Sequence, residues 1–262
     1  MYSFVEKLAD LIPDRVRASV KTYVKKKLFS TLSLVCGGKD RALLWSYSNF
    51  EMSPHSILFR GYFQGIIPLP NMSNGKLVEW HDPEHRGVVP INEFKARGNL
   101  IQILKKNLKL PEQERFVVKI NADFRKTMEG CAQPRKKTQR TWVTPEFIEA
   151  AVKLHEMGIA HSIETYKDGV LVGGVIGFAI NGYFADISLF HSVDNASRFA
   201  YYHLLLKLKE CGFTLHDAGW ANTWLSQFNL ISVHRDEFKR KLTEAMITHV
   251  KMDNTVPNYA FN

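Results

Sequence analysis

The sequence predicts an α+β protein built on a mixed β-sheet that is flanked by helices. Three consecutive strand candidates lie between residues 161 and 190, and the turn pairs Asp168-Gly169 and Asn181-Gly182 separate them. Such pairs are the strongest short-range hairpin signals, so the three strands should form an antiparallel meander. Apolar residues at helical spacing stand before and after the meander. Strands grouped between helices in this way are typical of the α+β class.

Residues 1–95 are predicted to form a smaller N-terminal α+β domain. Apolar residues recur at helical spacing between residues 5 and 28, and Pro13 interrupts them, which predicts two helices or one sharply kinked helix. The basic side chains of the second segment favour a solvated helix face, with a phosphate-binding arm and a membrane-surface helix as alternatives. Residues 45–95 are rich in aromatic residues, Pro and Gly, which indicates short strands and loops that wall a cleft.

Residues 96–250 are predicted to form the larger domain, and a loose tail is expected at 251–262. Thr144 and Pro145 mark a helix start, because Thr is a favoured N-cap and Pro suits the first helical position. Gly158 and Gly212 mark helix ends. The predicted strands are 115–120, 161–166, 170–179, 183–190 and 214–217. The predicted helices are 99–110, 121–130, 144–158, 196–211 and 235–249.

This order of elements fits the acyltransferase fold of the acetyl-CoA-dependent (GNAT-like) N-acetyltransferases. That fold cradles a pyrophosphate with a glycine-rich loop before a helix. The corresponding stretch here is H-S-V-D-N-A-S-R, residues 191–198, which contains no glycine and carries an acid. Backbone amides could not approach a pyrophosphate there as they do in a glycine-rich loop. We therefore expect neither coenzyme A nor another cofactor.

The composition indicates a basic protein with a reducing, cytoplasmic setting. The net charge is +9 over 262 residues, and the three cysteines, Cys36, Cys131 and Cys211, are odd in number and far apart. A basic chain attracts polyanions, although charge alone does not separate RNA, DNA, membrane surfaces and solubility. No apolar run reaches the roughly 18–20 residues that span a bilayer, so stable membrane insertion is not expected.

Residues 141–200 carry the most specific motifs. They contain T-W-V-T-P-E-F-I-E-A, K-L-H-E-M-G-I-A-H-S-I-E, L-V-G-G-V-I-G-F and S-L-F-H-S-V-D-N-A-S-R-F-A. Upstream, G-Y-F-Q-G-I-I-P begins at Gly61, W-H-D-P begins at Trp80 with Arg86 after it, and E-G-C-A begins at Glu129. In order and spacing these motifs resemble those of the leucyl/phenylalanyl-tRNA–protein transferases, over roughly residues 58–245. The resemblance implies transfer of an amino acid from a charged tRNA to the N-terminal amine of a protein with a basic first residue.

The resemblance implies that residues at and near Asp217 bind the acceptor amine. This residue falls on the acid of the family's Asp-Cys-Gln motif and is expected to orient the amine, a task that adds about 100- to 10,000-fold to a rate. The glutamine of that motif falls at Gly219, which has no side chain to offer. Glu164 and His216 are further candidates to assist.

A second departure lies in the strand whose sequence in the family is Gly-Glu-Ser-Met-Phe. Residues 186–190 read D-I-S-L-F here, so Ile187 stands at the glutamate position, with Asp186 before it and Ser188 after it. Neighbouring side chains of a strand point to opposite faces. Asp186 is therefore expected to act as a catalytic acid only if a β-bulge re-aims its side chain.

An apolar pocket and stacking aromatic residues are implied for the aminoacyl donor. Tyr62 and Trp142 match aromatics of this region, although a core role is the alternative for each. Leu69 stands at the tryptophan of the family's F-P-W motif, Ala151 at a pocket tyrosine and Val175 at a pocket methionine. These smaller side chains predict a wider pocket and leave the amino acid open.

The expected partners are aminoacyl-tRNA and an acceptor protein or peptide N-terminus, with the chain working as a monomer. Because Ile187 and Gly219 depart from the family, two other functions stay open: transfer to a small amine, peptide or lipid, and a degenerate member that binds tRNA or protein. His81 and its polar neighbours up to His85 are expected to form a surface loop and not a metal site. The residues expected to meet tRNA phosphates are Lys105, Lys106, Arg135, Lys136 and Lys137.

Overall fold

This computed structural model describes residues 34–36, 41–46, 54–70, 77–134 and 141–259. The predicted helices between residues 5 and 28 and the basic residues 135–137 lie outside the described residues. The helices are α1 (Pro54–Phe63), α2 (Gly98–Lys109), α3 (Phe124–Cys131), α4 (Pro145–Glu156), α5 (Ala196–Cys211) and α6 (Arg235–Met246). The strands are β1 (Leu34–Cys36), β2 (Arg41–Ser46), β3 (Ile67–Pro70), β4 (Leu77–Asp82), β5 (His85–Val88), β6 (Val117–Ile120), β7 (Ala160–Lys167), β8 (Val170–Ile180), β9 (Tyr183–His191), β10 (Leu215–Asp217) and β11 (Ile231–His234).

Two sheets organise the described part of the chain. One has the order β1-β2-β4-β3 and is antiparallel throughout. The other has seven strands in the order β11-β5-β10-β9-β8-β7-β6, and its β9 and β10 run parallel while the remaining neighbours run antiparallel. A mixed sheet flanked by helices confirms the predicted α+β class.

The predicted hairpin turns connect three neighbouring strands of the large sheet. Asp168 and Gly169 have φ of 51° and 75°, and Asn181 has φ of 53°. These left-handed conformations are readily adopted by Gly, Asn and Asp, which is why such residues close a two-residue hairpin. The turns join β7 to β8 and β8 to β9 in the expected antiparallel meander.

Local capping chemistry also sets the predicted helix ends. The Thr144 hydroxyl accepts the backbone N–H of Phe147 at 3.3 Å, and Pro145 follows at the first position of α4. Gly212 ends α5 with φ of 84°. Asp123 caps α3 by accepting the backbone N–H of Lys126 at 3.2 Å.

Helices cover both faces of the seven-stranded sheet. One core contains residues of α1, α3, α4 and α6 with Phe178, Tyr183 and Leu215 of the sheet. The other contains residues of α2 and α5 with Val175 and Phe184. We call these sides the α4 face and the α5 face. Alternation of Tyr183 and Phe184 between them follows from the pleat of β9.

Two features of the fold differ from the simplest expectations. Strand β5 lies inside the seven-stranded sheet, so that sheet takes a strand from before residue 95, and the division of the chain at this residue stays a prediction. Residues 251–259, expected to be loose, pack against α5 instead. Buried Lys207 donates to Asp253 and Thr255 at 2.7 Å each, and the ring of Tyr259 stacks near Tyr202. A buried ammonium requires such partners.

Candidate functional site at the parting of two parallel strands

Strands β9 and β10 separate at their carboxyl ends. They pair only from Leu215 opposite Tyr183 to Asp217 opposite Ala185. Beyond this point β9 continues along β8 to His191. The chain after β10 turns to β5 instead, where Gly87 donates to the Gly219 carbonyl at 2.7 Å. Ligands of open sheets bind outside the carboxyl ends of parallel strands where neighbouring connections part.

We call this place the β9–β10 fork, and its two sides are residues 186–188 of β9 and residues 218–220 after β10. Asp186, Ile187, Ser188 and Gly219, which come from distant parts of the sequence, therefore lie on the two sides of one structural feature. Asp217 is the last paired residue, at the base of the fork.

Asp217 is held by four hydrogen-bond donors. Arg86 donates from Nε to Oδ1 at 2.7 Å and from Nη2 to Oδ2 at 2.6 Å. Tyr183 donates its hydroxyl to Oδ2 at 2.6 Å, and Gly219 donates its backbone N–H to Oδ1 at 2.9 Å. Two oxygens accept about four hydrogen bonds in all. The carboxylate of Asp217 therefore has little acceptor capacity left for a substrate amine.

The charge state of this buried group follows from its partners. Burial by itself would raise the pKa of Asp217, but the charge and hydrogen bonds of Arg86, together with Tyr183 and Gly219, hold this pKa below its ordinary 3.8. Burial and the neighbouring Asp217 raise the pKa of Tyr183 well above 10, so its hydroxyl stays a donor. Arg86 also lies over the Phe238 ring, 4.6 Å from its centroid.

Gly219 contributes backbone only. Its φ of 71° is a left-handed conformation, and its N–H and carbonyl bind Asp217 and Gly87 respectively. Residues with a Cβ are strained there, which explains glycine at this position in this chain. The turn is thus fixed between β5 and the Asp217 carboxylate.

Asp186 belongs to a second cluster. Its Oδ1 accepts Nε2–H of His216 at 2.8 Å, and its Oδ2 accepts the Tyr201 hydroxyl at 2.6 Å. His216 and Tyr201 are fully buried, whereas 13% of the Asp186 side chain is exposed. Burial and the charge of Asp186 raise the pKa of Tyr201 well above 10, so the phenol remains a donor.

A β-bulge is present beside Asp186. Ser188 pairs with Ile176 and Asp186 pairs with Gly177, which leaves Ile187 as the extra residue. The bulge does not bring Asp186 to Asp217. Asp186 bonds to His216, which contacts Phe184 on the α5 face, while Asp217 bonds to Tyr183 on the α4 face. The two predicted acids thus flank the fork from opposite faces of the sheet.

The predicted pocket residues are also divided between the faces. Ala151 and Trp142 lie on the α4 face, where Ile187 packs against the same core. Val175 is buried on the α5 face, whereas its neighbour Ile176 belongs to the core that contains Ala151. Tyr62 is buried and meets the Phe178 ring edge-on, with centroids 4.8 Å apart.

The region of Leu69 holds an aromatic residue that no motif indicated. Trp220 is 37% exposed and meets the ring of His81 edge-on at 5.6 Å. His81 is paired with Ile67 across β3 and β4, and Leu69 follows on the same side of β3. Trp220 therefore lies next to the stretch that lacks the family's tryptophan.

The remaining candidates lie elsewhere. Lys105 and Lys106 are exposed on α2. Glu164 is buried on β7 and accepts the backbone N–H groups of Ala122 and Asp123 and the hydroxyls of Ser162 and Tyr166, so it fixes the start of α3. Across the described ranges no group of three or more His, Cys, Asp or Glu side chains could hold a metal, and no helix there is long and apolar enough to cross a bilayer.

Sequence reasoning missed the partners that fix the two acids. In the sequence, Arg86 stands out only as part of a family motif. Tyr183 and Tyr201 look like ordinary core residues of a strand and a helix. The Arg86–Asp217 pair joins residues 131 positions apart, for which one sequence carries no signal. An acid in a strand pattern beside a histidine, as at His216-Asp217, is the only hint.

Comparison with known proteins places these features in a family. The sequence model of the leucyl/phenylalanyl-tRNA protein transferases matches residues 88–243. A transferase of this name from Pelodictyon phaeoclathratiforme is 34% identical over 72% of this chain and 93% of its own length. Another, from Shewanella halifaxensis, is 35% identical over 78% of this chain and 82% of its own. A solved GCN5-related N-acetyltransferase-like protein from Streptococcus suis is 14% identical with a TM-score of 0.29, over 95% of this chain and 94% of that one.

The matched residues include both sides of the β9–β10 fork, the two acids and most of the seven-stranded sheet. Similarity of this extent, along nearly the whole length of one relative, covers the framework as well as the site. On these grounds the chain belongs to the leucyl/phenylalanyl-tRNA–protein transferase family.

Proposed function

We propose that this protein transfers a leucine- or phenylalanine-like amino acid from charged tRNA to the N-terminal amine of a protein with a basic first residue. The observation that carries the proposal is the β9–β10 fork, which gathers residues 186–188 and 217–219 of the family motifs. We expect the enzyme to act as a monomer in the cytoplasm, with no cofactor.

The chemistry needs positioning more than activation. Replacing the tRNA ester by an amide is downhill, so no further energy source is required. Holding the amine against the ester carbonyl supplies up to roughly 7–11 kcal/mol in ideal cases. Asp217 serves this purpose as a positioning residue, because its oxygens fix the Gly219 turn and the buried Arg86 on one side of the fork.

The donor side is proposed on the surface between β3 and the fork. Trp220 offers an exposed ring for the terminal adenine of the tRNA, in place of the tryptophan that Leu69 replaces. Apolar residues of the α4 face, including Ala151 and Trp142, would then line the aminoacyl pocket. Tyr62 supports this wall from the core, against Phe178.

The phosphates of the tRNA backbone are proposed to contact a set of basic side chains. Lys105 and Lys106 are exposed on α2, and Arg135, Lys136 and Lys137 follow in the sequence. Charge reversal at residues 135–137 should weaken tRNA binding and flatten its salt dependence, since each phosphate contact releases condensed counterions. Unchanged binding would remove the tRNA surface from this position.

A transfer assay tests the function. Purified protein is mixed with total tRNA charged with radiolabelled amino acids and with matched peptides that begin with Arg, Lys or Ala. Label on the Arg and Lys peptides, and none on the Ala peptide, is the expected result and identifies the donor amino acid. Charged tRNA that is neither bound in a filter assay nor consumed would contradict the proposal.

A second candidate keeps the donor and changes the acceptor to a small amine, a different peptide or a lipid. Ile187 and Gly219 favour it, because neither offers a polar side chain at the acceptor side of the fork. Bound charged tRNA with no labelled Arg or Lys peptide would select this candidate. Transfer confined to basic N-termini would exclude it.

A further inference from the structure

We infer that Asp186, held by His216 and Tyr201, is the carboxylate that receives the acceptor amine and its proton. The inference rests on the proposed aminoacyl transfer and names the residue that does this step in this chain. The three side chains come from β9, β10 and α5 and converge on one point at the fork.

Spare capacity to accept hydrogen bonds distinguishes Asp186 from two buried acids of the sheet, Asp217 and Glu164. Asp217 and Glu164 each accept four hydrogen bonds. Among the residues that the structure describes, Asp186 accepts one on each oxygen, from His216 and from Tyr201. Since a carboxylate accepts about four, Asp186 retains room for an ammonium donor.

The solvent exposure of the two acids also favours Asp186 as the group that meets the substrate amine. The side chain of Asp217 is 2% exposed, and that of Asp186 is 13% exposed, directly beyond the last residue pair of β9 and β10. A substrate amine that enters the fork can therefore reach the Asp186 oxygens without displacing a protein donor. The bulge at Ile187 lies beside it and interrupts the regular pairing with β8.

His216 and Tyr201 act as positioning residues. His216 is fully buried, its Nδ1 has no hydrogen-bond partner among the described residues, and its Nε2–H donates to Asp186. The Tyr201 hydroxyl donates to the other oxygen. The two donors fix the plane of the carboxylate and leave its remaining lone pairs to the substrate.

The position of the cluster fits the departures from the family pattern. The chain has Ile187 and Gly219 where the family has a glutamate and a glutamine. It places an acid immediately before the first of these positions and a histidine immediately before Asp217. These two side chains hydrogen-bond to each other at 2.8 Å. Compared with the family pattern, the polar side chains of this chain therefore stand one residue earlier in each strand, on the opposite face of the sheet.

Atoms and charge balance in the proposed step. The acceptor ammonium gives one proton to Asp186, which releases it to solvent through its exposed edge. The neutral amine attacks the ester carbonyl, the C–N bond forms and the C–O bond to the tRNA ribose breaks. Asp186 carries the second amine proton to the ribose oxygen, so the products are an amide, the free tRNA hydroxyl and one proton.

The test compares Asp186→Asn and Asp186→Glu with wild type, using leucyl- and phenylalanyl-tRNA and an Arg-starting peptide. Asp194→Asn is the matched control, because Asp194 is an exposed acid in the loop after β9. Asp186→Asn should lose about 100-fold or more in kcat/KM for the peptide. Filter binding of charged tRNA and the melting temperature should stay at wild-type values. Asp186→Glu should recover part of the rate, and the control should match wild type.

A pH profile separates catalysis from a structural role. The groups that face Asp186 are His216 from β10 and Tyr201 from α5, and the charge of Asp217 also acts on Tyr201. An α-amine loses its proton by itself near pH 8, so the deficit of Asp186→Asn should shrink between about pH 7 and pH 9. A deficit that is the same at every pH would overturn the assignment.

Tyr201→Phe provides a second variant should Asp186→Asn fold poorly. It keeps the ring in its core and removes one donor to Asp186, so we expect about a 5- to 20-fold loss of transfer rate. Wild-type rates in both Asp186→Asn and Tyr201→Phe would overturn the inference while leaving the proposed function intact. A wild-type protein that transfers to no peptide would instead refute the proposed function.

Discussion

Arg86 and Asp217 form a bidentate ion pair in the interior, with N–O distances of 2.7 and 2.6 Å and both side chains almost entirely buried. The pair connects β5 to the end of β10, at the base of the fork. Two charges can remain in such a place only with good geometry and further hydrogen bonds. Tyr183 and Gly219 supply those bonds, so the pair fixes the acceptor side of the site and the centre of the sheet together.

Removing one partner of this pair should destabilise the protein strongly. Arg86→Met leaves a buried, uncompensated carboxylate and is expected to lower the free energy of unfolding by about 3–5 kcal/mol, measured in urea. The double variant Arg86→Met with Asp217→Leu should recover much of the loss. Arg125→Met, which breaks the exposed pair with Glu149, is the control and should leave the urea midpoint unchanged. A single-variant loss as small as that of the control would contradict the expected role.

Stability should fall in mild acid because of a buried histidine. Burial, and to a smaller extent the charge of His155, lowers the pKa of His161 from 6.5 to about 4, and its Nδ1 lies 3.0 Å from the Asn121 amide. The unfolded chain binds a proton below about pH 6.5 and the folded chain only near pH 4. Stability is therefore complete above pH 6.5 and falls as the pH drops toward 4, by up to about 3 kcal/mol.

Urea unfolding at several pH values checks this expectation. His161→Gln should flatten the dependence between pH 6.5 and pH 4, whereas His249→Gln, at an exposed position, should keep the wild-type slope. His203, whose pKa burial lowers to about 4, contributes a second such slope that His161→Gln leaves in place. An unchanged slope in His161→Gln would contradict the assignment.

Trp220 should matter for the donor. If its ring stacks on the terminal adenine, Trp220→Ala should weaken binding of charged tRNA by about 5- to 100-fold, and Trp220→Phe should retain most of the affinity. Filter binding at fixed salt measures this effect. Ile247→Ala removes another exposed apolar side chain and should bind as wild type does. Equal binding by all variants would place the adenine elsewhere.

The C-terminal segment should contribute to stability. Truncation after Val250 removes Met252, which is buried, and the two groups that hydrogen-bond to the ammonium of Lys207, on Asp253 and Thr255. We expect the melting temperature to fall by about 5 °C or more. Lys207→Met in the truncated chain should recover part of the loss, because it removes an ammonium that has lost its two hydrogen-bond acceptors. A truncated chain that melts at the wild-type temperature would show that the segment is loose, as its sequence indicates.

The sequence by itself determined the parts of this protein that depend on local chemistry. Asp168-Gly169 and Asn181 set the turns of the meander, since few other residues tolerate the φ values of 51–75° that these three residues adopt. Thr144 and Gly212 set helix ends by capping. The order of motifs along the chain indicated the transferase family, and it located Asp217 and Asp186 as candidates.

The tertiary structure alone decided which of these residues meet. The sequence pattern of a strand shows which side chains share a face, but it does not show which strand lies beside it. The place of β5 between β10 and β11 depends on pairing between residues that are distant in the sequence. That pairing brings Arg86 to Asp217 and gives this acid its full set of donors. The pleats of β9 and β10 place Asp186 on the opposite face with His216, beside Phe184. Contacts between distant residues depend on the register and packing of the whole sheet, so one sequence could name both acids and could not say which has room for a substrate.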